Sequence, residues 1–361
     1  MAEFLLTDAI DTLLTPYIGH TAAILVAYGL VAFLVLNFVM AVGGLMSYVM
    51  RKVMARIHTR IGPNRVGPFG LLQFLADGVK MASKEDIRPA LADKWAYRLA
   101  PYFVLVPLMI AMAPIPFSDG IVLIDLPYGL LFILAITAIS PIGEIYAGWG
   151  SNNKYATYGA VRAASLDVSY EIPMVISAAS VLLVAGSIST QAIIAAQQPL
   201  WFVFVQPIGA FIFFICALAK AGVVPTDLAE SESELIAGYF TEFGGMKFGM
   251  FQLNVFFSVV FISMLTVILY FGGWSMPFFT PQAVGAYLPA IFFSPWIAPL
   301  AGLIVFLAKT AIFTLLVLIT WFTLPRLRPD QFLNIGWKVL FPLSLLNLVV
   351  TAGIVYYLGG L

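Results

Sequence analysis

The sequence predicts an all-α polytopic membrane protein with about eight transmembrane helices in a single membrane domain, residues 1–361, and three observations carry that prediction. Hydrophobic residues make up 61% of the 361 positions and charged ones only 10%, against about 25% charged in an ordinary soluble domain. Mean hydropathy is +0.99. The basic residues, finally, fall in alternate loops. This composition excludes a soluble enzyme, a disordered chain and a nucleic-acid binder. With 18 Lys and Arg against 18 Asp and Glu, the chain also has no net field to steer a charged partner. One cysteine, Cys216, leaves no disulfide and no thiolate set for zinc or iron–sulfur ligation. Two histidines, His20 and His58, are too few for a haem or a His-rich metal site. No metal site is expected, and any redox centre belongs to a partner.

The N-terminal stretch does not read as a signal peptide. Residues 1–11 carry Glu3, Asp8 and Asp11 and no base, whereas a signal needs a positive leading segment. Eight apolar stretches then approach the roughly 20 residues that a hydrocarbon core requires: 21–48, 97–117, 126–148, 160–184, 201–219, 248–272, 296–324 and 337–358. Segments of this length satisfy their backbone in lipid as helices. A transmembrane barrel would show alternating segments of about ten residues.

Every lysine and arginine except Lys309 lies in or beside the first, third, fifth and seventh loops. The positive-inside rule places those loops in the cytoplasm and both termini outside. The polar chemistry is concentrated on that side, in loop one (51–96) and an acidic loop five (220–247) above all. Lys309 sits inside the seventh apolar stretch, where a charge is costly. It is either a structural strut or a coupling base.

Loop one contains Ile-Gly-Pro-Asn-Arg-Val-Gly-Pro-Phe-Gly, residues 61–70. Gly62-Pro63 and Gly67-Pro68 around Asn64 restrict the chain to a defined turn. Arg51, Lys52, Arg56, Arg60 and Arg65 surround it. From Phe69 to Met81, apolar residues alternate at helical spacing with Gln73, Asp77 and Lys80, the pattern of an amphipathic helix on the membrane surface. A plain headgroup anchor and the rigid rim of a site both fit this pattern. The paired Gly-Pro constraints favour the rim.

Loop three runs through Ser151, Asn152, Asn153 and Lys154, a polar cap at a helix start. Arg162, Asp167 and Glu171 follow within three turns, and Asp167 and Glu171 share one face. Glu144 lies on the preceding apolar stretch. Buried carboxylates are expensive unless protonated, paired or wet. Such a group serves either in a proton path or as one buried Arg–carboxylate strut. In loop five, Asp227, Glu230, Glu232, Glu234 and Glu242 are interleaved with Leu228, Leu235, Ile236, Tyr239 and Phe240. That interleaving argues against a merely solvated acidic run, and the spacing of a calcium-binding EF-hand is absent.

Four segments together resemble one family: the H subunit of proton-translocating NADH:quinone oxidoreductase, respiratory complex I, including its plastid-type and archaeal relatives. They are RKVMARIHTRIGPNRVGPFGLLQFLADGVK, GWGSNNKYATYGAVRAASLDVSYEIPM, DLAESESELIAGYFTEFGGMKF and LPRLRPDQFLNIGWKVLFPLSL. They stand in the family's order. The resemblance implies a translocase subunit that forms the quinone entrance and chamber under a peripheral arm and links quinone reduction to proton translocation. The chain would bind no cofactor and hold no catalytic residue of its own. Quinone is the implied substrate. Iron–sulfur clusters and flavin, or another electron-input cofactor, would sit in partner subunits, beside antiporter-like and small membrane subunits. The implied setting is an energy-transducing membrane, bacterial or archaeal plasma membrane first and an organellar membrane second.

By the same resemblance, the chamber and its loop take Arg51, Lys52, Arg56, Arg60, Gly62, Pro63, Asn64, Arg65, Gly67, Pro68 and Asp77. Proton coupling takes Glu144, Asp167, Glu171, Asp227, Glu230, Glu232, Glu234 and Glu242. Arg162, Lys309 and Arg326 are structural or coupling bases. The chain departs from the family at Met50, Val255, Trp321, Pro329 and Leu166, so the carboxylate route is not copied whole, and Asp167 and Glu144 are candidates to replace lost groups. Two other readings stand beside this one: the membrane anchor of a hydrogenase- or ferredoxin-linked ion pump, and a stand-alone secondary transporter.

Overall fold

A computed structural model describes residues 20–119, 121–198, 200–228, 235–276 and 297–357. Helix α1 covers His20–Ile57, about 57 Å at 1.5 Å per residue. That is well beyond the hydrocarbon thickness. Loop one therefore begins later than expected. Arg51, Lys52 and Arg56 ride on the last two turns of α1, because nothing in Arg-Lys-Val-Met-Ala-Arg-Ile breaks a helix. The break comes at Thr59, with a φ of 54°, and at Gly62-Pro63. After a single 3₁₀ turn at Pro68–Gly70, α2 runs over Gln73–Ser83. It is the expected amphipathic helix, starting four residues late because the Gly-Pro turn consumes Phe69 to Leu72. It packs against α1 and α10.

Helix α3 (Lys94–Ala111) is capped by Asp93, whose carboxylate accepts from the backbone of Trp95 and Ala96 at 2.9 and 3.0 Å. It stops six residues short of the expected end. Pro114 and Pro116 cannot donate to a helix, and residues Pro116–Ser118 instead pair with Ile121–Val122 as a short antiparallel ladder, β1 and β2. The third apolar stretch is two helices, α4 (Gly129–Thr137) and α5 (Ser140–Gly150), broken at Pro141. Helix α6 (Lys154–Ala185) begins at the Asn153 cap and ends on Gly186 with φ 66°. After the short α7 (Thr190–Ala196), the fifth stretch is also divided, into α8 (Phe202–Val205) and α9 (Pro207–Lys220). Then come α10 (Gly245–Tyr270), α11 (Ile297–Thr323), α12 (Pro329–Ile335), a π-helical turn at Gly336–Leu340 and α13 (Phe341–Tyr357).

Among the described residues, six helical segments are long and apolar enough to cross a membrane: Ile24–Ile57, Gly129–Gly150, Lys154–Ala185, Gly245–Tyr270, Pro299–Thr323 and Pro329–Tyr357. Of the other two expected spans, Pro207–Lys220 is apolar but short, and α3 carries Lys94 and Arg98 in its first turns. The fold is thus all-α and polytopic, as expected, with two weaker members. Helix α10 is its centre, buried without a break from Phe257 to Tyr270. Large apolar side chains on α1, α11 and α13 point outward, as lipid-facing surfaces do: Phe33, Ile312 and Val349 are all more than half exposed.

Buried hydrogen bonds tie the far ends of these helices together, as buried polar groups require. Ser177 meets the Tyr270 hydroxyl at 3.1 Å, Ser180 donates to Gln206 at 2.9 Å, and Asn347 donates to Ser180 at 3.2 Å.

Candidate functional site

The basic end of the bundle carries the candidate residues in three groups. The first surrounds a cavity of about 410 Å³ between α1, α2 and α10. Met40, Ser47, Phe74, Val79, Leu253 and Phe256 line it, with Asp77 at its edge. Small residues set the approach of the walls. A Cβ at Gly44 would lie 2.9 Å from Phe74, and one at Gly249 would lie 2.8 Å from the Met81 sulfur. Arg51 on α1 pairs with Asp77 on α2 at 2.7 Å. The Tyr48 hydroxyl donates to the Phe69 carbonyl at 2.9 Å, and Lys52 stands over the Tyr48 ring at 5.6 Å. The Gly-Pro turn is therefore fastened to α1. Gly62 and Pro63 are half-buried in it, whereas Asn64, Arg65, Gly67 and Pro68 face outward with Arg56 and Arg60. The turn also depends on Gly70, a position that the two Gly-Pro pairs do not single out. Its φ is +82°, and a Cβ there would collide with the Pro63 carbonyl oxygen.

The second group is an ion cluster inside the bundle. Lys220, the last residue of α9, reaches Asp167 at 3.3 Å and Glu171 at 3.5 Å, and all three side chains are 12–15% exposed. Two carboxylates one turn apart on α6 thus share one ammonium. Glu144 on α5 is buried and lies within the electrostatic reach of Lys220. The sequence allowed an Arg162–carboxylate strut here. The structure places Lys220 between two of these carboxylates, and Arg162 is itself engaged in an interaction. The signal for Lys220 was available: a lone lysine closing an apolar run. A cation wedged between two buried carboxylates both neutralises them and holds α6 to α9, since breaking such a set leaves an unpaired buried charge.

The third group joins loops one, three, five and seven at the same end. Asn153 donates to Glu242 at 2.6 Å, and the Tyr97 hydroxyl donates to the Glu242 carbonyl at 3.0 Å. Lys247 pairs with Asp86 at 2.7 Å and stands 4.6 Å over the Tyr97 ring, which stacks on Phe243 at 4.2 Å. An open hollow of about 970 Å³ lies over this seam, lined by residues 89–91, 151–154, Tyr158 and Glu242. Asp227 pairs with Arg326 at 2.8 Å, and the Leu327 amide donates to the Pro225 carbonyl at 3.2 Å. Glu230, Glu232 and Glu234 lie outside the described residues.

Lys309 stands apart from all three groups. Its ammonium donates to the carbonyls of Phe271, Gly273 and Ser275 at 2.8, 2.9 and 2.6 Å and faces the Trp201 ring at 4.5 Å. These carbonyls close the C-terminal end of α10, where a cation is favoured. Three carbonyl contacts of this kind suit a strut. Lys309→Met is expected to destabilise the protein by about 2–3 kcal/mol, the loss of charge-assisted hydrogen bonds to half-buried carbonyls. A native melting temperature in that variant would count against the strut.

Of the positions that depart from the family pattern, Val255 and Leu166 are buried apolar packing, Trp321 stacks on Phe322 at 5.7 Å, and Pro329 opens α12.

The chain matches the family described as NADH dehydrogenase over residues 30–352. It is 44% identical over 302 residues to the H subunit of the NADH-quinone oxidoreductase of Dehalococcoides mccartyi strain CBDB1, a match covering 84% of this chain and 79% of that one. The protein of the same description from D. mccartyi strain ATCC BAA-2266 is 43% identical over the same shares of both chains.

Proposed function

The chain belongs to the NADH dehydrogenase family, and from that premise we propose that it is the membrane subunit of a proton-pumping NADH:quinone oxidoreductase, admitting quinone from the bilayer and coupling its reduction to proton translocation. The observation that carries this reading is the apolar cavity between α1, α2 and α10. An amphipathic helix with no fully buried residue forms one wall, which suits a ligand leaving the lipid at the membrane surface. Its walls are mostly apolar, and Asp77, held by Arg51, is among the few polar lining residues that could orient a polar head. Most ligand pockets have this composition, an apolar lining with few polar groups.

The redox chemistry belongs to iron–sulfur and flavin groups in partner subunits. This chain supplies the path, the orientation and the charge response. The basic end faces the cytoplasm, where the hollow over loops one, three and five suits a peripheral partner. Charge changes on Glu230, Glu232, Glu234, Glu242 and Asp227 would be felt at Lys220, Asp167, Glu171 and Glu144, which pass them sideways to the pumping subunits. Membership of such a complex accounts for the exposed apolar faces of α1, α11 and α13 as surfaces for lipid and neighbouring subunits.

Gly78 provides the test. It lines the cavity, and a Cβ there meets nothing within 4 Å. Gly78→Phe therefore adds bulk at the cavity wall without displacing backbone. In the assembled complex it is expected to raise the KM for a long-chain quinone at least about tenfold, the equivalent of 1.4 kcal/mol of lost binding, with electron input from the donor to an artificial acceptor unchanged. Native quinone kinetics in this variant would place the quinone elsewhere. A purified chain that is iron-free and alone, taken from well-preserved membranes, would overturn the assignment to a complex.

A further inference from the structure

Lys220 borders a second, smaller space. A cavity of about 40 Å³ is walled by Lys220 together with Thr137 and Ser140 of the α4–α5 break, Met174 of α6, and Asn254 and Ser258 of α10. Neither Asp167 nor Glu171 lines it. One water needs about 10–15 Å³ of such volume and two to four polar partners. The volume suffices, and the wall offers the polar groups of Lys220, Thr137, Ser140, Asn254 and Ser258 among apolar neighbours such as Leu108, Phe213 and Phe261. Thr137 and Ser258 donate their hydroxyl protons to backbone carbonyls of their own helices, at 3.0 and 2.8 Å, which leaves their lone pairs to accept. The side chains of Ser140 and Asn254 make no hydrogen bond among the described residues.

The ammonium itself is loosely held. Charge-assisted N–H···O bonds normally measure about 2.7–2.9 Å, and the bridges Arg51–Asp77, Lys247–Asp86 and Arg326–Asp227 measure 2.7, 2.7 and 2.8 Å. Lys220 stops at 3.3 and 3.5 Å from its carboxylates. An ammonium carries three donors, and it stands here between two carboxylates, with both Glu171 oxygens at 3.5 Å, and a largely apolar cavity with polar groups in its wall.

We propose that this cavity is a water-binding site and that its water gives the Lys220 ammonium a second seat, so that Lys220 is a positioning residue that moves between the Asp167–Glu171 pair and α10. Helix α10 makes the movement responsive. Leu253 and Phe256 wall the large apolar cavity, and Asn254 and Ser258 on the same turns wall the small one. A ligand that shifts α10 from one side changes the seat on the other. Two discrete seats for one charge are the kind of two-state element that coupling requires. The water site stands on geometry alone, whereas its role in coupling rests on the quinone reading above.

The test is a high-resolution cryo-electron microscopy map of the intact complex, with an Asn254→Leu variant beside it. Ordered density is expected within about 2.6–3.2 Å of Lys220 Nζ and of a side-chain oxygen of Thr137, Asn254 or Ser258. An empty cavity, or one filled by a side chain, overturns the site. In Asn254→Leu the leucine is expected to expel the water and let Lys220 close to about 2.7–2.9 Å from its carboxylates. Reconstituted in vesicles, that complex is expected to translocate about 2- to 30-fold fewer protons per quinone reduced. Either unchanged Lys220 distances or native pumping overturns the second seat. Ser258→Val encroaches on the same wall and serves if Asn254→Leu fails to assemble. If the native complex reduces no quinone, the proposed function falls, and the map still decides the water.

Discussion

Lys220→Met is expected to cost about 3–5 kcal/mol, the penalty for removing one partner from a buried ion set, and to deplete the assembled complex from the membrane. Asp167 and Glu171 are 12% and 15% exposed and share that one ammonium, so its loss leaves two like charges one turn apart without the cation that pairs them. The triple variant Lys220→Met, Asp167→Asn, Glu171→Gln separates fold from function. With no charge left to strand, it is expected to assemble and melt closer to the native complex than Lys220→Met does, since no unpaired buried charge remains. Proton translocation should stay lost, because no mobile charge remains between α6, α9 and α10. Quantitative immunodetection of the complex and a thermal melt read the first effect, and a vesicle pumping assay reads the second. Native abundance and melting temperature in the single Lys220→Met variant would show that the carboxylates do not depend on the ammonium. A pumping triple variant would remove the cluster from the coupling route.

The contrast between Lys220 and Lys309 shows where sequence patterns suffice. Both lysines interrupt apolar runs, and a one-dimensional reading ranks Lys309 higher because it sits deeper in its stretch. The difference lies in what each meets across the bundle: three carbonyls of a helix end for Lys309, two carboxylates for Lys220. Neither set of partners is within 30 residues in sequence, so no local pattern reveals it. Likewise, the amphipathic character of α2 was legible from Gln73, Asp77 and Lys80, and its helical neighbours set the cavity behind it. The breaks at Pro141 and Pro207 were visible as prolines, yet mean hydropathy averages over them, and each pair of short helices reads as one span. The overrun of α1 past Arg51 has the opposite cause. Charge marks the membrane boundary, while helix continuation depends on backbone breakers, and none occurs before Thr59.

Gly70→Ala is expected to lower quinone turnover by more than about tenfold, although it adds one methyl group. At a φ of +82° the substitution carries the strain of a left-handed residue, about 1–3 kcal/mol. Steric overlap adds to it, since the new Cβ would collide with the Pro63 carbonyl oxygen and lie 2.6 Å from its carbon and 2.9 Å from the Asn64 nitrogen. All three are backbone atoms, and Pro63 is held by its own ring, so the turn must open rather than a side chain rotate. Opening it pulls Phe69 away from the Tyr48 hydroxyl, which it meets at 2.9 Å, and frees the start of α2 from α1. The wall that carries Phe74, Leu75 and Asp77 then loses its register against α10. Gly78→Ala is the control. It lies on the same helix with open space at its Cβ and gains up to about 1 kcal/mol in helix propensity, so it should assemble and turn over at least as well as the native protein. Hydrogen exchange across residues 62–72 should rise in Gly70→Ala and not in Gly78→Ala. If Gly70→Ala keeps native quinone kinetics while exchange rises, the turn is an anchor for the membrane surface and not a wall of the quinone path.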